Sequence, residues 1–242
     1  MEVHGASQIE AVGVHSGLSR PFRLSLPVAM AYEPLGIAFG VLVVTSGINW
    51  YWAPLSALSI FAGSIEFLSV GLAVSGVPIT QVAVTALVVN FRHIFYGLSF
   101  PISRLRTRRQ KGYGVFALTD ETYGIVSAGE GSRMSGTEIT ALQLISHFWW
   151  VSGAFLGAIV GNLIPPSVKG FGFALTSMFL VLALDAAVAR RSVGFISLAV
   201  VSAVFAKLAD RFLVHGSFLI AGLLMYVLGV TAQYSARSWS RR

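Results

Sequence analysis

Asn90, Arg92, His93 and Tyr96 stand in the middle of an apolar run from Val82 to Pro101 that is long enough to span a membrane. A guanidinium at the centre of such a segment costs at least about 2.5–3.5 kcal/mol to insert, so a carboxylate partner, a water-filled cavity or both must offset it. Read as one helix, the run places Asn90, His93 and Gly97 on one face and Arg92, Tyr96 and Ser99 on the next, a polar sector about half a turn wide. Counter-charges are available in the other apolar runs, at Glu33, Glu66, Asp120 and Glu121. Carboxylates at membrane depth beside an imidazole can carry protons. The same set can hold a zwitterion, with Arg92, Asn90 and freed helix N-termini on a carboxylate and Glu or Asp on an ammonium. The plainer reading is an arginine that only clamps two helices through a structural ion pair.

These residues must be positioned by membrane helices. Of 242 residues, 55% are hydrophobic and 11% charged, and the mean hydropathy is +0.75. A soluble domain needs more polar surface than that. Long apolar windows favour helices over the short alternating segments of a barrel. The expected class is therefore all-α, a polytopic membrane helix bundle with about seven crossings, some broken or re-entrant. The absence of cysteine excludes disulfides and thiol chemistry. The net charge of +7 is concentrated in short loops and at the C-terminus, which reads as positive-inside topology and not as a nucleic-acid surface. Residues 1–20 read as a lead-in, 21–236 as the transmembrane domain and 237–242 as a basic cytoplasmic tail.

Along the chain, Leu24–Ser46 spans but contains Tyr32, Glu33 and Pro34, and the proline predicts a break with Glu33 at an unwound turn facing a cavity. Gly36 and Gly40 allow close helix approach. Trp50, Tyr51 and Trp52 resemble an interfacial aromatic belt. In Ala53–Val74, small residues Ala62, Gly63 and Ser64 beside Glu66 fit either a mid-membrane break or a continuous helix with one paired acid. Arg104, Arg106, Arg108, Arg109 and Lys111 mark a cytoplasmic loop. Gly112–Gly129, interrupted by Thr119, Asp120, Glu121 and Thr122, reads as a broken or re-entrant element. Phe61-Ala62 with Glu66 and Phe116-Ala117 with Glu121 share one spacing, a faint sign of an internal repeat.

A long helix from Thr137 to Leu163 carries Gly153, Gly157 and Gly161 on one face, for packing against a helix of this chain or of a partner. His147 reads as a satisfied interfacial histidine. Phe171–Val188, Val193–Val214 and Gly216–Tyr234 complete the spans, with Asp185 late in the first and Arg190 and Arg191 after it. If every stretch before the basic loop crosses, the N-terminus lies outside, against the preference of Arg20 and Arg23. A re-entrant Glu66 stretch removes that conflict.

The runs Pro34–Gly40, Phe61-Ala62-Gly63, Asn90-Phe91-Arg92-His93 with Tyr96, and Leu118-Thr119-Asp120-Glu121-Thr122-Tyr123 resemble the large subunit of bacterial branched-chain amino-acid exporters, the AzlC-type permeases. The resemblance runs from about Arg20 to the C-terminus. It implies a multi-pass protein of the bacterial plasma (inner) membrane that exports leucine, isoleucine, valine and sometimes methionine using the proton motive force. A small hydrophobic AzlD-type partner subunit is implied as well. By position, Asn90, Arg92, His93 and Tyr96, with Glu33 at a helix break, become candidate substrate residues, and Glu66, Asp120 and Glu121 candidate proton-coupling residues. One departure is Ser64-Ile65-Glu66, where such proteins often carry Gln. Two other classes fit the residues less well. No Gly-x-Ser-x-Gly or His-Glu-x-x-His motif supports an intramembrane enzyme. A non-transporting assembly factor or passive channel fits the glycine stripe but leaves the mid-membrane charges without a purpose.

Overall fold

The computed structural model describes residues 19–165, 193–212 and 218–239, with Phe173, Ser177 and Leu180 as single positions. The lead-in through residue 18, Asp185, Arg190, Arg191 and the last three residues lie outside the described residues. The described chain is helical, without strands. Among the described residues, two single helices are long and apolar enough to cross a membrane: α1 (Ser19–Thr45) and a later one, Gly136–Leu163. At about 1.5 Å per residue each is about 40 Å long, against a hydrocarbon core of about 30 Å. Between them lie α2 (Trp52–Ser59), α3 (Gly63–Val74), α4 (Ile79–Asn90), α5 (His93–Ser99), α6 (Arg108–Phe116) and α7 (Asp120–Ser127), so that Gly136–Leu163 is α8. Two further helices follow, α9 (Val193–Phe212) and α10 (Phe218–Trp239). The last runs through three residues of the expected basic tail.

The predicted break at Glu33 is not there. α1 continues through Pro27 and Pro34, and Glu33 accepts a hydrogen bond from Ser152 Oγ of α8 at 2.6 Å. Packing against a neighbouring helix keeps a proline turn helical in spite of its missing donor. That neighbour is α8, whose glycine stripe lies on α1 within this chain. A methyl group placed on Gly153 meets Glu33 O at 2.9 Å, one on Gly36 meets Ala154 N at 2.9 Å, and one on Gly161 meets Val41 Cα at 3.1 Å.

α1 and α8 run parallel. Arg20 pairs with Glu138 at their starts, 3.7 Å apart, and Gly161 lies against Val41 and Val44 near their ends. The basic segment sits at the starting end, where Gly136 packs on Arg104 and Leu105 and Arg104 Nη1 donates to Met134 O at 3.5 Å. The exposed Trp50, Tyr51 and Trp52 follow α1 at the opposite, aromatic end.

Two helix pairs fold back as hairpins from these opposite ends. α2 enters from the aromatic end, and α3 returns to it: Ile48 and Trp52 share one apolar groove with Ser69, Val70 and Ala73. α6 enters from the basic end, where Thr107 and Gln110 close a capping box. After α7, a 3₁₀ turn at Gly129–Arg133 leads to Gly136, back beside Arg104. Among the described residues, α4–α5 is a helix pair bent by 44° that is long and apolar enough to cross when taken as one span, and it runs from the aromatic to the basic end. Two or three spans are thus evident there, against the seven expected. The Val82–Pro101 run is thus two helices, and the single-helix faces predicted for it do not form. The start of α1 and the basic segment share one end, so the topological conflict disappears. α9 and α10 pack on each other, with Gly229 against Leu198, and α10 adjoins α4.

Candidate functional site

Each fold-back places a helix break at the middle of the two long helices. The first is at Phe61 and Ala62, where Phe61 has φ +48°. A bulky side chain rarely adopts this conformation, and it persists only where packing enforces it. Here Phe61 is buried, stacked on His147 at 4.2 Å between ring centroids and edge-on to Tyr32 at 6.2 Å. The second break, at Ala117–Thr119, is held by Gln143 of α8, whose Nε2 donates to Gly114 O at 2.9 Å and Ala117 O at 3.1 Å. Thr119 then caps α7 by a capping box with Thr122. The third break is at Phe91 and Arg92 in α4–α5.

The three breaks surround a cavity of about 70 Å³ lined by Tyr32 of α1, Phe61 to Ser64 of the first hairpin, Asn90, Arg92 and His93, Thr119 to Glu121 of the second hairpin, and Trp150 of α8. A site of this size has room for a few waters or a charged head group of that bulk. Arg92 Nη1 pairs with Asp120 Oδ2 at 3.1 Å, and Nη2 donates to Ser64 Oγ at 3.4 Å. Tyr32 Oη donates to Glu121 Oε2 at 2.6 Å. His93 Nδ1 lies 3.0 Å from Asn90 O. Among the described residues, Asn90 Oδ1, Arg92 Nε and Asp120 Oδ1 are buried with no hydrogen-bond partner. One cationic donor and two acceptors are therefore unsatisfied side by side, a pattern complementary to a ligand carrying both an anionic and an ammonium group. The first turns of both hairpin helices carry acids, Glu66 in α3 and Asp120 and Glu121 in α7.

Asn90, Arg92, His93, Asp120 and Glu121 are thus brought together, as their types suggested. Three other candidates stand elsewhere. Glu33 bonds to Ser152 outside the cavity lining. Tyr96 stands one layer away, stacked on Tyr123 at 4.5 Å and edge-on to His93 at 5.6 Å. Glu66 is fully buried behind the wall, where Oε1 accepts from Ala62 N at 2.8 Å and from Trp150 Nε1 at 3.1 Å. His147 is satisfied as expected but lies in the interior, not at an interface: Nε2 reaches Ala57 O at 3.1 Å and Nδ1 reaches Tyr113 Oη at 2.9 Å. Sequence reading missed Tyr32 and Trp150 as cavity residues. Their only signal is position, each near the middle of a long helix.

A family model described as AzlC protein matches residues 27–164, which include every cavity residue. The chain is 28% identical over 166 residues to the branched-chain amino acid transport protein AzlC of Bacillus subtilis (strain 168), covering 68% of this chain and 65% of that protein. It is 32% identical over 164 residues to an uncharacterized membrane protein of Archaeoglobus fulgidus, covering 66% and 71%. Similarity to the inner membrane protein YgaZ of Escherichia coli (strain K12) is 28% over 166 residues, covering 64% and 67%. No solved structure matches this chain.

Proposed function

This chain belongs to the AzlC family of membrane proteins, and on that premise we propose that it is a proton-coupled secondary exporter of branched-chain and other small neutral amino acids. The observation that carries this reading is the cavity itself: unsatisfied Arg92, Asn90 and Asp120 atoms meet at three helix breaks, midway along two spanning helices. In this mechanism the substrate carboxylate is held by Arg92 and the N-terminal amides of α3, and its ammonium by Asp120 and Asn90. The Arg92–Asp120 pair closes when the site is empty and opens to admit the zwitterion. Glu121 exchanges the coupled proton, because it lines the cavity and its one bonded oxygen accepts from a single hydroxyl. The basic end faces the cytoplasm of a bacterial cell by the positive-inside rule. A small hydrophobic AzlD-type subunit completes the working unit in this reading, and the exposed apolar side chains of α4–α5, such as Leu87, Ile94 and Leu98, are available to it or to lipid.

The test is efflux of labelled leucine from proteoliposomes under an imposed pH gradient, with this chain alone and with the small hydrophobic membrane protein encoded beside it. Gradient-dependent efflux supports the exporter. Flux that ignores the gradient, or none for any neutral amino acid with the partner present, refutes it.

A further inference from the structure

The two fold-backs are related in sequence as well as in space. The Phe-Ala-x-x-x-Glu spacing at Phe61–Glu66 returns 55 positions later at Phe116–Glu121. The same offset carries α1 onto residues 74–100, where α4–α5 occupies Ile79–Ser99, and α2 onto 107–114, where α6 occupies Arg108–Phe116. It also carries α3 onto 118–129, where α7 occupies Asp120–Ser127. Each unit is one crossing followed by one re-entrant hairpin. The first crossing runs from the basic to the aromatic end and the second runs back, so the hairpins enter from opposite sides. That is the arrangement of an inverted-topology repeat. The tips meet at its centre, with Phe61 and Phe116 6.5 Å apart and both packed on His147.

The repeated glutamates occupy corresponding places. Glu66 joins the first tip to α8 by accepting from Ala62 N of its own tip and from Trp150 Nε1. Glu121 joins the second tip to α1 by accepting from Tyr32 Oη. Tyr32 and Trp150 touch edge to face at 5.6 Å, on the two helices locked together by the glycine stripe. We infer that Glu66 and Glu121 are repeat-related positioning residues, each latching one re-entrant hairpin to the α1–α8 scaffold. The Glu66 latch closes the cavity toward the aromatic end and the Glu121 latch closes it toward the basic end. Glu66 acts through hydrogen-bond acceptance alone: it does not line the cavity, and an amide oxygen at the same place accepts the same two bonds. Glu121 combines the latch with the proton exchange proposed above, so release of the basic-side hairpin is the step tied to protonation.

This inference rests on the transporter reading, and its test needs no substrate. The chain has no cysteine, so Ser64→Cys puts a single thiol on the cavity wall. Its labelling by a membrane-impermeant reagent is measured from each face of oriented vesicles. Adding Glu66→Ala, or Trp150→Phe as the milder form of the same lesion, raises labelling from the aromatic face about tenfold or more and leaves the basic face unchanged. Tyr32→Phe raises it from the basic face instead. Glu66→Gln stays within about twofold of the parent. Opening of the same face by both lesions, unchanged labelling in all of them, or Glu66→Gln behaving as Glu66→Ala overturns the inference. Side-selective labelling in a protein that moves no leucine supports the latches and counts only against the substrate.

Discussion

Replacing Gly157 by alanine tests whether the α1–α8 contact carries the site. A methyl group there would lie 2.7 Å from Ile37 C and Cα and against the Ile37 carbonyl oxygen. These are backbone atoms of a helix, so no rotamer change relieves the clash and the two helices must part by several tenths of an ångström. Overpacking of this kind costs about 1–3 kcal/mol. Alanine recovers about 0.5–1 kcal/mol of backbone entropy relative to glycine in a helix. The net loss expected is therefore up to about 2.5 kcal/mol, a fall of up to about 10 °C in melting midpoint for a chain of this size, and about 1–3 kcal/mol relative to a glycine whose methyl meets nothing. Gly71 is the control: it is helical, exposed, and a methyl group there meets nothing within 4 Å, so Gly71→Ala leaves the midpoint unchanged or raises it slightly. Gly161→Ala falls between, because the atoms it meets, Val44 Cβ at 3.0 Å and Val41 Cα at 3.1 Å, lie farther off than those facing Gly157. Thermal unfolding of the detergent-solubilised variants, followed by size-exclusion loss, ranks them. Transport falls with stability in Gly157→Ala, since Tyr32 and Trp150 reach the cavity from the two helices being forced apart. Equal midpoints for Gly157→Ala and Gly71→Ala would refute the packing argument.

Other consequences are equally concrete. Arg92→Gln leaves Asp120 without its cation and Asp120→Asn leaves Arg92 without its anion; each lowers leucine efflux at least about tenfold, the scale of 1.4 kcal/mol, and unchanged efflux in either removes the pair from the mechanism. Glu121→Gln uncouples leucine flux from the pH gradient while retaining exchange of internal for external leucine; coupling that survives the change moves the proton elsewhere. His147→Phe keeps the ring stack on Phe61 but leaves Ala57 O buried without a partner, costing about 1–3 kcal/mol, and also removes the partner of the half-buried Tyr113 hydroxyl. Its melting midpoint falls further than that of Tyr113→Phe, which strands one nitrogen.

The helical membrane class, the glycine contact and the gathering of Arg92 with Asp120 were legible in residue types, because apolar length, small-residue stripes and intramembrane charge carry strong physical meaning. The break near Thr119 was legible for the same reason, a capping residue beside two acids that lipid does not tolerate, whereas Ala62-Gly63-Ser64 beside Glu66 fitted a break and a continuous helix equally. The break at Phe91 and Arg92 has no glycine or proline to announce it and is set by tertiary contacts of Arg92 with Ser64 and Asp120. Pro34 misled in the opposite direction, since α8 packs on that turn and keeps it helical. The faint Phe-Ala-x-x-x-Glu repeat gained meaning only when the two tips were seen to meet from opposite ends.

The most direct measurement is protection of the Ser64→Cys thiol by leucine, with Arg92→Gln in parallel. Saturable slowing of labelling by leucine, lost in Arg92→Gln, is the predicted result. Labelling that leucine leaves unchanged, at concentrations that saturate efflux, would mean that the substrate passes elsewhere and would contradict the cavity as the transport site.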